Sequence, residues 1–188
     1  MNWLLIGFRL TSLLILMILS GVLTLVLERS PVYLFENKMV PIPVIRGTID
    51  PLVSYVRFVN DRVPTSVAKE IISNVRRRSE EMKLPVELII GLMEVESSFD
   101  PMTVSNRKAR GLLQILDPPN HLIIDRTKIH DIDYNVEIGC RILSYYLAEK
   151  KDYRKALVWY SGDADDFTEK VERAIGRLIL FEQQEAVR

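Results

Sequence analysis

A single cysteine, Cys140, stands in the 188 residues, which excludes an intrachain disulfide framework and a cysteine-built zinc site. Neither sign of charge is in excess, with 25 Lys+Arg against 25 Asp+Glu, so the chain lacks the basic surplus that marks a nucleic-acid binder and has no acidic tail. There are only two histidines, His121 and His130, and their spacing fits no metal-ligand motif. No run alternates convincingly enough for a strand, and there is no internal repeat or low-complexity tract. At 48% apolar and 27% charged, the chain has the composition of a folded protein rather than a disordered one.

What is present begins with Leu10 to Leu27, LTSLLILMILSGVLTLVL. Uncharged throughout, it would extend about 27 Å as a helix, close to the hydrocarbon thickness of a bilayer. The run is longer than a signal-peptide core and shows no A-x-A-like cleavage site near its end, so residues 1–29 read as an uncleaved transmembrane anchor, with a cleaved signal as the alternative. Arg9 and the amino terminus favour a cytoplasmic short side, which puts the rest of the chain outside the cytoplasmic membrane, although Arg29 weakens the bias. Residues 30–48, with Pro31, Pro41 and Pro43, read as a stalk or strap.

From residue 49 to 188 the periodicity is helical, with expected helices at 51–60, 65–83, 86–98, 109–116, 134–150, 153–160 and 165–183. Thr65 or Ser66, Pro85, and Asp133 or Asp152 supply start signals. Gly91, Gly139 and Ala156 favour close helix contacts. The expected fold is all-α, six or seven short helices behind the N-terminal helix. Arg76-Arg77-Arg78 with Glu80 and Glu81 reads as an exposed, ion-paired helix face. Cys140 reads as a small buried hydrophobe, and Val171, Ile175, Leu178 and Ile179 as core.

Within 85–99, Ile89, Leu92, Met93 and Glu96 share one helical face, whereas Glu87 and Glu94 lie on a face read as solvated. A carboxyl on an apolar stripe is either paired with a buried cation or desolvated, in which case it holds its proton near neutral pH and can act as a general acid.

Glu96-Ser97-Ser98-Phe99-Asp100-Pro101, then Ser105, Ala109 and Gly111-Leu112-Leu113-Gln114, resemble in type and spacing the signature of the SLT-type lytic transglycosylases, relatives of goose-type lysozyme. Asp133 to Gly139 is similar to that family's Asn-(x)3-Gly helix start, and Ala156 to Gly162 to its Ala-x-x-x-Tyr-Asn-x-Gly motif. Two residues depart from the pattern: Leu113 stands for methionine and Ser161 for asparagine.

The resemblance implies a lysozyme-like helical domain that cleaves the β-1,4 bond between N-acetylmuramic acid and N-acetylglucosamine in peptidoglycan. Glu96 would be both general acid and general base, leaving a 1,6-anhydro end without cofactor or metal. Gln114, Tyr160, Ser97 and Ser105 would contact substrate, although each also suits a cap, a turn or the core. Expected partners are glycan strands, the cytoplasmic membrane through 10–27, and cell-wall or secretion-complex proteins. Two other readings remain open. One is a muramidase, with Asp163 or Asp165 as second carboxylate; the other is a non-catalytic wall-binding scaffold.

Overall fold

The computed structural model describes residues 49–116, 122–162 and 166–187. The chain divides into two compact units, Met1–Pro43 and Val44–Arg188, and the described residues belong to the second. The expected anchor at 10–27 and stalk at 30–48 lie outside them. Among the described residues, no helix is long and apolar enough to cross a membrane.

Six α-helices make up the described fold. Helix α1 (Pro51–Val59) starts where the Asp50 side chain accepts from Leu52 N–H at 3.0 Å, with proline at the first helical position;. Helix α2 (Thr65–Met82) follows Pro64 without a side-chain cap, so neither Thr65 nor Ser66 has the capping role expected of it. Its Ala68, Ile71, Ile72 and Val75 form a fully buried stripe at i, i+3, i+4 and i+7;.

Helix α3 (Val86–Ser97) is buried without a break from Leu88 to Glu94 and so runs through the centre of the core. Gly91 makes this possible, because a Cβ there would lie 2.7 Å from Ile175 Cγ1 and 3.3 Å from Val171 O. Its absence lets α6 (Phe167–Val187) lie against α3 through Val171, Ala174, Ile175 and Leu178.

Helix α4 (Ile132–Lys150) is capped by Asp131, which accepts from Tyr134 N–H at 2.9 Å. The expected cap, Asp133, instead receives Arg77 and Arg78. Helix α5 (Tyr153–Ser161) follows a two-residue turn and is capped by Asp152, as expected, through Lys155 N–H at 2.9 Å. Helix α4 packs on α2 and α5. Cys140 is buried in this layer, and burial pushes its thiol up to about 12, so it is inert at neutral pH;.

Two further expectations are corrected. The arginine run is not one exposed face. Arg76 pairs with Asp50, while Arg77 and Arg78 reach Asp133, and Arg78 also reaches Glu137 at 2.8 Å and Glu81 at 2.8 Å, fastening α2 to α4. Residues 109–116 form no helix. They make a tight turn with isolated antiparallel bridges, Val104 to Arg110 and Arg110 to Ile115, because Gly111 at φ 78° and Gln114 at φ 44° lie in the left-handed region, which a helix excludes;.

Candidate active site

Helix α3 ends one residue after Glu96. Ser98 and Phe99 follow at φ 50° and 63°, and Ser98 N–H closes the helix on Glu94 O at 3.0 Å. Two consecutive left-handed residues other than glycine are costly. The fully buried Phe99 ring, edge-on to Tyr55 at 6.4 Å between centroids, holds the turn in place. Asp100 then accepts from Met102 N–H at 2.8 Å, and the chain runs back toward the helix end.

The returning segment is fixed by side chains from several elements. Ser97 Oγ, at the end of α3, donates to Leu112 O at 2.8 Å. Asn135, buried in the first turn of α4, accepts from Leu113 N–H at 2.9 Å and donates to Arg110 O at 3.1 Å and Ile129 O at 2.7 Å. Tyr160, on α5, donates to Leu113 O at 2.8 Å. Two glycines admit the packing: a Cβ on Gly111 would fall 2.2 Å from Asn135 Nδ2, and one on Gly139 2.3 Å from Leu113 Cδ1.

The residues that carry the resemblance therefore meet around one turn, and most of them build it. Ser97 is buried and ties backbone to backbone. Ser105 closes its own turn, its Oγ accepting from Ala109 N–H at 3.0 Å. Gln114 is buried and donates through Nε2 to Gly111 O at 2.8 Å and Thr103 O at 3.2 Å, leaving its oxygen as the group it can offer a ligand. Asn135 has a larger part here than the sequence reading gave it; the signal was the Asn-(x)3-Gly spacing, which places Asn135 and Gly139 on one face of α4, both against Leu113. His130 Nδ1 lies 2.9 Å from Pro101 O, so it carries the proton of that contact and helps hold the returning loop;.

Glu96 stands apart from this network. Half-buried at the end of α3, its carboxyl has no hydrogen bond or ion pair among the described residues, and burial raises it from 4.5 to about 8;. At pH 7 it is a neutral acid. Tyr160 is its electrostatic neighbour: burial first, and then the charge of Glu96, push the phenol well above its ordinary value.

Glu94 corrects the sequence reading. It is not solvated but buried, accepting from Tyr55 Oη at 2.5 Å and Arg177 Nε at 3.0 Å, with a second Arg177 contact through Nη2. The two outcomes open to a carboxyl in an apolar setting are thus both present on α3, paired at Glu94 and desolvated at Glu96. The carboxylates considered for a second catalytic role, Asp163 and Asp165, lie outside the described residues, as does His121. Among the described residues, no group of three or more His, Cys, Asp or Glu side chains is arranged to hold a metal ion.

The stretch that holds this acid, the braced Gly-Leu-Leu-Gln turn and Tyr160 is matched by one family. The chain belongs to the transglycosylase SLT domain family, whose pattern covers residues 73–174, more than half of its length. It is 31% identical over 107 residues to the membrane-bound lytic murein transglycosylase C of Haemophilus ducreyi, an overlap of 52% of this chain and 29% of the relative. The protein of the same name from Glaesserella parasuis is 41% identical over 49 residues, 26% of this chain and 14% of that one. The chain thus spans less than a third of the length of the curated relatives it matches. No solved structure matches it.

Proposed function

We propose that this protein is a peptidoglycan lytic transglycosylase that cleaves the β-1,4 bond between N-acetylmuramic acid and N-acetylglucosamine, with Glu96 as its acid and base. The observation that carries the proposal is the Glu96 carboxyl, without a hydrogen bond or ion pair among the described residues and raised to about 8 by burial, within the stretch that the family match covers. In that state Glu96 donates its proton to the glycosidic oxygen as the bond to C1 breaks. The substrate's acetamido group supports the positive charge that develops. The carboxylate left behind takes the proton of the muramoyl C6 hydroxyl, whose oxygen attacks C1 and closes the 1,6-anhydro ring. Glu96 ends as it began, protonated, and no water is consumed.

A single carboxyl suffices for this cycle, whereas most glycosidases use two. Glu94 is no substitute. Two residues along a helix is about 200° of rotation, which points it away from Glu96, and it is held by Arg177 and Tyr55. Tyr160, the electrostatic neighbour of the acid, and the oxygen of Gln114 in the braced turn are assigned here to the sugar. Ser97 and Ser105 are assigned to shaping the turn.

Residues 1–29 are proposed as the membrane anchor and 30–48 as a stalk, with the domain from 49 onward on the outer face of the cytoplasmic membrane. Both curated relatives are described as membrane-bound. The test is to incubate the protein and its Glu96→Gln variant with purified peptidoglycan and identify the released fragments by mass spectrometry. Anhydromuramoyl ends that disappear in the variant are the expected result. Reducing ends would indicate a muramidase, and no release by the folded protein would indicate a wall-binding scaffold.

A further inference from the structure

Trp159 is a large aromatic side chain left 56% exposed, one residue before Tyr160 on α5. An indole of that size facing water is unusual in a core-forming helix. It is not isolated. The Tyr146 ring of α4 lies 6.2 Å from it between centroids, tilted by 48°, and Tyr145 stacks edge-on to Tyr146 at 5.4 Å. Lys150 Nζ sits 3.5 Å from the centroid of the indole, a cation–π contact that covers part of the ring and fixes its orientation;.

The cluster is continuous with the candidate site. Tyr146 and Tyr160 are both partly buried against the core, and the charge of Tyr146, like that of Glu96, is among the causes that raise the Tyr160 phenol. Tyr160, next to Trp159 in the chain, reaches the turn through Leu113 O at 2.8 Å, and Trp159 and Tyr146 lie on the surface of the α4–α5 pair that carries it. Rigid aromatic rings offer broad contact area at little conformational cost. Their apolar faces match the C–H face of a pyranose, and an ammonium beside them matches the carboxylate that a muramoyl residue carries on its lactyl group.

We propose that Tyr146, Trp159 and Lys150 form a glycan-binding platform that extends the Glu96 site along α4 and α5, where Trp159 stacks on a sugar ring distant from the cleaved bond and Lys150 pairs with a muramoyl carboxylate. The platform rests on the reading of the ligand as a peptidoglycan strand. It gives the protein a preference for long strands over short ones.

The sequence contains two tryptophans, Trp3 and Trp159, so Trp3→Phe leaves Trp159 as the sole indole. In a full chain carrying Trp3→Phe and Glu96→Gln, emission is followed during titration with a β-1,4-linked N-acetylglucosamine hexamer, with the dimer, and with muramoyl-containing strands. The expected result is a saturable emission change with the hexamer at about tenfold lower concentration than with the dimer, and tighter binding of muramoyl strands that Lys150→Met abolishes. In the cleaving protein, Trp159→Ala lowers the ratio of long-strand to short-strand cleavage several-fold, and Trp159→Phe restores part of it, which separates stacking from a folding defect.

An indole that does not respond to hexamer or strands, in a protein that still cleaves strands through Glu96, overturns the platform and leaves the proposed activity intact. A saturable response in a protein that cleaves nothing upholds the platform and removes the activity. No response and no cleavage would remove both.

Discussion

Glu94 and Glu96 stand two residues apart on one helix and in opposite electrostatic states. Glu94 is buried, paired with Arg177 and hydrogen-bonded by Tyr55. Glu96 is desolvated and has no counter-charge among the described residues, so it keeps its proton to about pH 8. An acid serves catalysis only if nothing nearby stabilises its ionised form, and the α6 cation that might have done so is occupied on the other side of the helix.

The first prediction concerns the cost of that state. Below pH 4.5, folded and unfolded chains both hold the proton and Glu96 has no effect; between 4.5 and about 8 only the unfolded chain ionises, so stability falls, and above 8 it is level;. Glu96→Gln removes the penalty. The variant should match the wild type near pH 4 and be more stable by about 4 kcal/mol at pH 8, as read by denaturant titration at both pH values. Its cleavage rate should fall by about 10²- to 10⁴-fold.

The second follows from the same proton. Because the protonated carboxyl starts the reaction, kcat/KM should decline about tenfold per pH unit above pH 8, with no loss attributable to Glu96 between pH 5 and 8;. A rate profile on soluble glycan strands checks this. An ordinary carboxyl at this position would already have lost the acid form by pH 6.

Arg177→Met removes the cation from a carboxylate that remains buried. Breaking such a pair by one partner costs about 3 kcal/mol where both are enclosed. Arg177 is half exposed, so about 2 kcal/mol is expected. Adding Glu94→Gln should recover much of the loss, because Tyr55 can still donate to the amide oxygen. Thermal melts of the two singles and the double variant measure the coupling.

Asn135→Ala deletes three hydrogen bonds to buried backbone, at Leu113, Arg110 and Ile129, and should cost about 3 kcal/mol. Activity should fall even at temperatures where the variant is fully folded, because the turn beside Glu96 loses its brace. Circular dichroism alongside a cleavage assay separates the two effects.

Periodicity located the helices because a buried stripe such as Ala68, Ile71, Ile72 and Val75 is written within one segment. It failed at 109–116, where Leu112, Leu113 and Ile115 mimic a helical face; the turn is instead imposed from outside, by Ser97, Asn135 and Tyr160 on three other elements. It failed at Glu94 for a similar reason, since spacing from Glu87 carries no word of Arg177, 83 residues on. The pairing of Arg77 and Arg78 with α4 was hidden in the same way. At Glu96 an odd carboxyl on an apolar stripe was visible locally, because the apolar positions that surround it lie within its own helix.

The bracing of Leu113 has an evolutionary side. Asn135 and Tyr160 hold this residue by its main-chain N–H and C=O, and its buried side chain fills the space left by Gly139. Position 113 therefore asks for an apolar side chain of about this volume, a demand that leucine and methionine both meet;. A methionine at 113 would leave every hydrogen bond of the turn in place, because those bonds go to the main chain, whereas replacing Asn135 or Tyr160 removes a bond outright.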